Sequence, residues 1–191
     1  MRRGTAGLLG LALAVAVACA PAPGGGGGPS GPATWVIPAG SHDMLGATVS
    51  FTTSDLLALR VRFDASAEYA TVDPANQADI NKLRGFSDCS SHHQTDSARF
   101  GWRWMDGRID LLAYDYVAGE RQSQLLTTTS PGVWIDLRLE AVGATYLFTV
   151  NGVTTVMPRG CADSGLVKYD LWPYFGGDEV APHEVRIEHE P

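Results

Sequence analysis

The 191-residue sequence predicts an all-β protein, a two-sheet antiparallel jelly-roll sandwich with one short helix. Three observations favour this fold class. Apolar and polar residues alternate with a period of two in several segments, tight-turn dipeptides connect such segments, and no long helical crossover separates them. The length suits one domain with a sizeable core.

The charge and composition of the chain exclude several classes of protein. It has 14 Lys and Arg against 21 Asp and Glu, a net charge of −7. We expect no nucleic-acid partner, because binding to phosphates requires a basic face. With 45% apolar and 18% charged residues, the chain resembles neither a disordered polyelectrolyte nor an integral membrane protein.

Residues 1–18 have the features of a lipoprotein signal peptide. Arg2 and Arg3 precede an apolar run, 8–18, that is too short to span a bilayer. The run ends in small residues before Cys19, which resembles the lipobox of bacterial lipoproteins, although Ala16 replaces the usual Leu. The alternative is an ordinary signal peptide and a chance cysteine. Lipidation of Cys19 would make the protein an exported one, lipid-anchored on the periplasmic or cell-surface side of a bacterial membrane.

Residues 19–33 are predicted to be a lipid-anchored tether. Six glycines and four prolines in 20–33 leave no side chain larger than proline with which to bury apolar surface. The folded domain is then expected to span 34–191. Loss of Arg2 and Arg3 with the signal peptide leaves a mature net charge of −9.

Strands and hairpins follow from local patterns. The apolar residues of 57–63, 135–139 and 185–187 each alternate with polar ones, which predicts half-buried strands. Asp106-Gly107 and Asn151-Gly152 each separate two strand-like segments, and such dipeptides favour the type I′ turns of β-hairpins.

One segment has helix signals. Asp73 suits an N-cap and Pro74 the first helical position, and Ala75–Arg84 would follow, closed by Gly85. We expect only one or two turns there.

Cys89 and Cys161 remain after Cys19 is assigned to lipidation. In an exported protein two such thiols usually pair, so a disulfide is the leading interpretation, and it would join two loops at one rim of the sandwich. The alternatives are zinc ligation with His92 or His93, and a reactive thiol.

Between residues 85 and 104, a polar loop is followed by an aromatic strand. His92, His93 and Gln94 lie in the loop, and Arg99 and Arg103 share a strand face with Gly101. The arginines are either paired surface residues or ligands for sugar hydroxyls and carboxylates, with Gly101 leaving room for a ligand ring. The opposite face carries the aromatics Phe100, Trp102 and Trp104.

A second informative stretch lies between 172 and 183. Trp172 and Tyr174 could stack on a sugar, and the Asp178 carboxylate could accept hydrogen bonds from the hydroxyl groups of that sugar. Asp178 and Glu179 with loop carbonyls could bind calcium, the one cofactor that the sequence suggests. The alternative is a pair of solvated turn residues.

The order of several motifs carries a resemblance that covers nearly all of 34–191. The motifs are DINKL at 79–83, GFSDC at 85–89, the His pair at 92–93, SARFGWRW at 97–104, RGC at 159–161, PYFGGDE at 173–179 and APH at 181–183. Their order resembles a family of exported bacterial proteins, many of them lipoproteins. At the fold level that family is similar to the concanavalin A-like lectin and glucanase sandwich, which implies binding or cleavage of glycans.

Enzymes of related folds give residue-level tests. The E-x-D-x-x-E strand of retaining glucanases does not occur in this chain. Jelly-roll polysaccharide lyases use Tyr or His as base and acid, with Arg and Gln neutralising a uronate carboxylate. This chain has residues of these four types in His93, Gln94, Arg99 and Tyr174. It lacks the Q-I-H or Q-V-H strand motif of those lyases. A G-x-S-x-G nucleophile elbow is also lacking.

Three functional hypotheses remain. The first is a membrane-tethered glycan-binding module that uses the aromatics with Arg99, His92 and Asp178. The second is a carbohydrate-active enzyme, a polysaccharide lyase or a glycosidase-like protein, with His93 or Tyr174 as base and Arg99 as charge neutraliser. The third is a surface protein whose loop residues form a buried hydrogen-bond network and bind no ligand. The enzyme hypothesis requires His93, Arg99 and Tyr174 to meet in one cleft.

Overall fold

Two antiparallel sheets pack across a common core in the computed structural model, which describes Met1 and residues 31–191. The strands are β1 Ala33–Ile37, β2 Phe51–Thr52, β3 Leu56–Phe63, β4 Asn81–Ser87, β5 Ser97–Met105, β6 Arg108–Val117, β7 Glu120–Thr129, β8 Trp134–Val142, β9 Thr145–Val150, β10 Val153–Pro158, β11 Lys168–Leu171 and β12 Val185–Glu190. Sheet I has the order β1-β12-β3-β8-β9-β10, and sheet II has the order β2-β11-β4-β5-β6-β7. The predicted all-β sandwich is confirmed.

The core contains the alternate residues of both sheets. Leu59, Val61 and Phe63 of β3 are buried, as the alternation predicted. Phe63 packs on Trp102 with ring centroids 5.1 Å apart, so an aromatic contact joins the two sheets. Phe100 and Phe148 also join the two sheets, and their ring centroids lie 5.3 Å apart. The aromatic face of β5 is therefore the core face, and its arginine face is the outer face of sheet II.

Both predicted hairpins form. Asp106 and Gly107 have φ of 52° and 74°, and Asn151 and Gly152 have φ of 48° and 83°. Positive φ at both central residues is what a type I′ turn requires. Ala118-Gly119 closes a further hairpin between β6 and β7, with Ala118 at φ 52°. The sequence did not indicate this turn, because alanine rarely adopts that conformation.

The predicted short helix forms with the expected one or two turns, but it ends well before Arg84. A 3₁₀ helix covers Pro74–Ala78, and the Asp73 carboxylate accepts from the Ala75 N–H as an N-cap should. The extension to Arg84 is wrong, because 81–87 form β4. A Cβ on Gly85 would lie 2.1 Å from the Arg99 Cβ, so Gly85 permits close strand contact and does not end a helix. A second 3₁₀ helix spans Ala65–Ala67.

The Cys89–Cys161 disulfide is confirmed, with the two Cα atoms 5.8 Å apart. It joins the loop after β4 to the loop after β10. Since the sulfurs are bonded to each other, zinc ligation by these thiols and a free reactive thiol are both wrong.

The predicted signal peptide (1–18), lipidation site (Cys19) and most of the tether (19–33) lie outside the described residues, and they stay predictions. Within the described part of the chain, no helix has the length and hydrophobicity needed to cross a membrane.

Candidate functional site

A polar cavity of about 500 Å³ lies on the outer face of sheet II. Its walls come from β4, β5, β6 and β11, from the loop before β5 and from the segment after β11. The lining residues are Asp43, Ala47, Lys82, His93, Gln94, Arg99, Tyr114, Tyr116, Asp170, Leu171, Trp172, Pro173, Tyr174 and Gly177. His93, Arg99 and Tyr174 therefore meet in one cavity, as the enzyme hypothesis required.

Arg99 is the most buried charge in this cavity. It lies in the middle of sheet II, on β5, and only 8% of its surface is exposed. Its Nε has no hydrogen-bond partner among the described residues, and no described carboxylate lies within salt-bridge distance of it. Its guanidinium carbon lies 5.8 Å from the centre of the Tyr114 ring. A buried cation without a partner destabilises the folded state, and this cost indicates that Arg99 has a role other than stabilising the fold.

Lys82 is a second cation of the cavity, and the sequence analysis missed it. Its Nζ donates to the Ile80 carbonyl oxygen at 2.6 Å and lies 5.0 Å from the centre of the Tyr114 ring. No described carboxylate forms a salt bridge with it. Burial, with the charges of Arg99 and Arg121, lowers the pKa of Lys82 to about 8. Lys82 and Arg99 thus give the cavity two positive charges at pH 7.

His93 is neutral at pH 7. Burial, with the charges of Arg99 and His92, lowers the pKa of its imidazole to about 4. Its backbone N–H donates to Tyr169 Oη at 2.8 Å, and its Nδ1 lies 2.9 Å from the same oxygen. The imidazole is therefore a fixed, uncharged group beside the Arg99 cation.

Three tyrosines add phenol groups. Burial and the neighbouring Tyr116 raise the pKa of Tyr114 to about 12, so its hydroxyl keeps its proton. Tyr174 exchanges both backbone hydrogen bonds with Lys82, at 2.8 and 3.0 Å. Its ring stacks on His42 with centroids 5.1 Å apart. These contacts hold Tyr174 beside Lys82.

Trp172 lines one side of the cavity, and its position is fixed by two contacts. Its Nε1 donates to the Thr48 carbonyl oxygen at 2.7 Å, and the Arg84 guanidinium lies 3.9 Å from the centre of its ring. Arg84 also donates to Asp170 at 3.1 Å. The Asp170 carboxylate, which also accepts from Ser50, is therefore already occupied.

Two predicted site features on β5 lie elsewhere. Arg103 is not in the cavity lining, because its Nε donates to Asp110 and its Nη1 to the Ala78 carbonyl oxygen, both at 3.0 Å. Gly101 does not leave room for a ligand ring. A Cβ there would lie 2.5 Å from Ile80 Cγ2, so that space already holds the Ile80 side chain.

His92 and Asp178 are exposed and outside the cavity lining. His92 Nδ1 accepts from the Gln94 N–H at 3.3 Å, so it shapes the loop that carries His93. Glu179 accepts hydrogen bonds from the N–H groups of Val72 and Asp73 and from Asn76 Nδ2. These donors occupy its carboxylate, and calcium binding by Asp178 and Glu179 stays a prediction.

A separate charged cluster lies at the rim near the disulfide. The Asp88 carboxylate accepts from Arg159 Nε at 2.6 Å, from Arg159 Nη2 at 3.1 Å, from Tyr146 Oη at 2.9 Å and from the Cys89 N–H at 2.8 Å. Burial alone would raise the pKa of Asp88, but these hydrogen bonds hold it below its usual value. Asp88 thus belongs to a paired network, as the third hypothesis expected for the loop.

Several cavity residues escaped the sequence analysis: Lys82, Tyr114, Tyr116, Asp43 and Asp170. Lys82 was missed because its segment was predicted to be helical. Tyr114 and Tyr116 were missed because β6 is mostly apolar. A period-two analysis of 108–117 would have placed Leu112, Tyr114 and Tyr116 together, opposite the buried Leu111 and Ala113.

Three solved structures are similar to this chain, and the first of them supports the fold. A structure titled as a native glycosidic hydrolase has a TM-score of 0.50 at 14% identity, covering 84% of this chain and 76% of that one. An alginate lyase of polysaccharide lyase family 7 has a TM-score of 0.49 at 11% identity, with coverages of 83% and 77%. A polysaccharide lyase of family 18 has 0.49 at 10%, with 82% and 84%.

No protein-family model and no curated protein matches the chain. The resemblance to exported bacterial lipoproteins therefore stays a prediction. At these identities the similarity to solved structures establishes the β-sandwich fold alone, and the chemistry has to be argued from the cavity.

Proposed function

We propose that the chain is a carbohydrate-active enzyme that cleaves a uronate-containing polysaccharide by β-elimination in the cavity of sheet II. The single observation that carries the proposal is a pair of cations, the buried Arg99 and the half-buried Lys82, with which no described carboxylate forms a salt bridge. A uronate carboxylate would supply the missing negative charge.

The chemistry of β-elimination matches the groups of the cavity. Neutralising the carboxylate acidifies the neighbouring C5–H, and a base then removes that proton. The freed electron pair forms a C4=C5 double bond, the C4–O glycosidic bond breaks, and the leaving oxygen takes a proton from an acid. Arg99 and Lys82 would bind the carboxylate, while His93 and Tyr174, which line the same cavity, are the candidates for the proton transfers.

A glycoside hydrolase fits the cavity less well. Hydrolysis usually needs two carboxyl groups on either side of the scissile bond, one of them free to donate a proton. Asp43 and Asp170 are the carboxyl groups among the lining residues, and Asp170 is bound by Arg84 and Ser50. One free carboxyl group is not enough for either hydrolytic mechanism.

The net charge of the mature chain gives no long-range attraction for a polyanion. Recognition would therefore depend on the local field of Arg99 and Lys82 inside the cavity. This predicts weak binding of single uronates and tighter binding of oligomers that also reach Trp172.

The test is a turnover screen of the chain on several polyuronates, including alginate, and on neutral glucans and xylans. Ultraviolet absorbance of unsaturated uronate reports elimination, and new reducing ends without that absorbance report hydrolysis. Parallel reactions with added calcium and with a chelator test the calcium prediction. Turnover of a polyuronate with the ultraviolet signal supports the proposal, and hydrolysis of a neutral glycan overturns it.

Glycan binding without turnover is the second candidate. Trp172 favours it, because an aromatic side chain held at the cavity wall can stack on a sugar ring. Saturable binding of a glycan by calorimetry, with no product in the screen, would support this candidate over the enzyme.

We also propose that the protein is exported and held at a bacterial membrane through acylated Cys19, a site predicted from the sequence alone. In detergent phase partitioning, the expressed protein should enter the detergent phase, and the Cys19→Ser variant should stay in the aqueous phase. Equal partitioning of the two proteins would exclude the lipid anchor.

A further inference from the structure

The contact between Tyr169 and His93 joins two distant parts of the chain, β11 and the loop before β5. Tyr169 Oη lies 2.8 Å from the backbone nitrogen of His93 and 2.9 Å from its Nδ1. The two rings meet edge to face, with centroids 6.1 Å apart. One phenol oxygen therefore contacts both the backbone and the ring of the same histidine.

The direction of each hydrogen bond follows from the number of protons. A backbone N–H can only donate, so Tyr169 Oη accepts from His93 N. The hydroxyl has one proton of its own, and His93 Nδ1 is the one acceptor that the described residues place within its reach. Donation from Tyr169 O–H to Nδ1 is the arrangement in which the hydroxyl proton has an acceptor within the described protein.

We propose that Tyr169 is a positioning residue that holds His93 in the Nε2–H tautomer, so that His93 offers a ligand in the cavity a hydrogen-bond donor and not a base. A neutral imidazole has one N–H, and a nitrogen that accepts cannot carry it. The low pKa of His93, about 4, keeps the ring neutral at pH 7. The donor role toward substrate rests on the proposed function, whereas the tautomer does not.

The surrounding contacts keep both partners in place. Ser97 Oγ donates to the His93 carbonyl oxygen at 2.6 Å. On the other side, the Tyr169 N–H donates to Ser87 Oγ at 2.9 Å. Ser87 and Ser97 are themselves paired across β4 and β5, so the histidine and the tyrosine are fixed to the same two strands.

This assignment changes the division of roles within the proposed elimination. His93 Nε2–H would join Arg99 in binding the substrate carboxylate, because both groups then present N–H donors. Removal of the C5 proton would pass to a phenol of the cavity, for which Tyr174 is placed beside Lys82.

The tautomer can be read directly by ¹⁵N NMR of the full chain labelled at histidine, because the two ring nitrogens have different shifts in each tautomer. Two other histidines give internal references. His42 Nδ1 lies 2.7 Å from the Phe175 carbonyl oxygen, which can only accept, so His42 is the Nδ1–H tautomer. His183 Nε2 lies 2.8 Å from the Ser66 carbonyl oxygen, so His183 is the Nε2–H tautomer.

At pH 7 we expect the His93 signals to match those of His183 and not those of His42. In Tyr169→Phe the His93 signals should move toward a mixture of tautomers, while the two references stay unchanged. Tyr69→Phe is the matched control, because it removes a buried hydroxyl bonded to Asn81 and should leave His93 unaffected. A His93 spectrum of the Nδ1–H type in the unmodified chain overturns the proposal, and this result requires no variant to fold.

Turnover gives an independent second measurement. With an active polyuronate, Tyr169→Phe should lower kcat/KM roughly tenfold, and Tyr69→Phe should lower it less than twofold per folded molecule. An unchanged His93 tautomer in Tyr169→Phe overturns the inference even if the enzyme is active. An Nε2–H tautomer in a chain that turns over no glycan overturns the proposed function and leaves the assignment of Tyr169 supported.

Discussion

The rim beside the disulfide and the cavity of sheet II differ in whether their charged side chains have partners of opposite charge. At the rim, the side chains of Asp88 and Arg159 are both 0% exposed, and each satisfies the other. In the cavity, Arg99 is buried and Lys82 is half-buried, and no described carboxylate forms a salt bridge with either. The rim is a satisfied structural network, whereas under the proposed function the cations of the cavity would be neutralised by an anion of the substrate.

The comparison separates stability from function. A buried ion pair whose hydrogen bonds are satisfied holds its elements in place, and loss of one partner is costly because the other stays buried and charged. A buried cation without a partner weakens the folded state, and such groups are typical of sites where binding repays the loss. Variants at the two regions should therefore have opposite effects on unfolding and on turnover.

The largest expected effect is at the rim. Arg159→Met leaves the Asp88 carboxylate buried without its two strongest donors, and we expect the free energy of unfolding to fall by about 3–5 kcal/mol. Denaturant unfolding at pH 7 measures this. The loss should shrink as the pH falls through the low pKa of Asp88, because the protonated carboxyl no longer needs a cation.

Arg138→Met is the control for that variant. Arg138 pairs with Glu140 at an exposed position, so its loss should change the free energy of unfolding far less than the loss of Arg159 does. Equal losses for Arg159→Met and Arg138→Met would show that the rim network is not a stabilising one.

The second prediction concerns the cavity, where loss of a cation should lower turnover and not stability. Arg99→Met should lower polyuronate turnover at least about 100-fold, because the carboxylate loses its main partner. The free energy of unfolding should stay equal or rise, since an unpaired buried charge is removed. Steady-state kinetics and denaturant unfolding on the same preparation measure both.

Arg103→Met is the matched control for Arg99→Met. Arg103 lies on the same face of the same strand, but it is paired with Asp110 outside the cavity. Its loss should leave turnover per folded molecule within twofold. A large loss of turnover in Arg103→Met, or none in Arg99→Met, would contradict the placement of the site.

A third prediction concerns Asp115, a carboxyl group on the core side of β6. It is 0% exposed, and neither of its oxygens has a hydrogen-bond partner among the described residues. Burial raises its pKa from 3.8 to about 7. Between these values the folded chain keeps a proton that the unfolded chain releases, so stability falls as the pH rises from about 4 to about 7.

Asp115→Asn removes this titration. The variant should gain stability over the parent chain as the pH rises from 4 to 7.5, by about 4 kcal/mol in total. Thermal unfolding across that pH range measures the difference. Parallel stability curves for the two proteins would show that Asp115 titrates normally.

The smallest predicted effect is that of Lys82. Lys82→Met should raise KM for a polyuronate roughly tenfold, with a smaller change in kcat, because Lys82 strengthens binding beside the main Arg99 contact. In the parent chain KM should rise above pH 8, where Lys82 loses its charge, since its pKa is about 8. In Lys82→Met that rise should be absent, and a rise of the same size in both proteins would exclude Lys82 as its cause.

The sequence by itself determined the features that depend on local pattern. Period-two alternation identified the strands around Val61 and Ile135, the Asp-Gly and Asn-Gly dipeptides identified two hairpins, and the expectation of export pointed to the Cys89–Cys161 pair. Each follows from side chains within a few residues or from a property of the compartment. The aromatic core face of β5 also followed, because large apolar groups seek burial.

The tertiary structure decided which of two equivalent arginines on β5 is free. Arg103 faces Asp110 on the neighbouring strand and Arg99 faces Tyr114, and this difference depends on the register between β5 and β6. Lys82 and Tyr174 meet only because 81–87 form a strand beside the segment after β11. Such pairings join residues far apart in the chain. Period and turn signals fix which face a residue shares with its near neighbours, but they do not fix which distant side chain lies opposite.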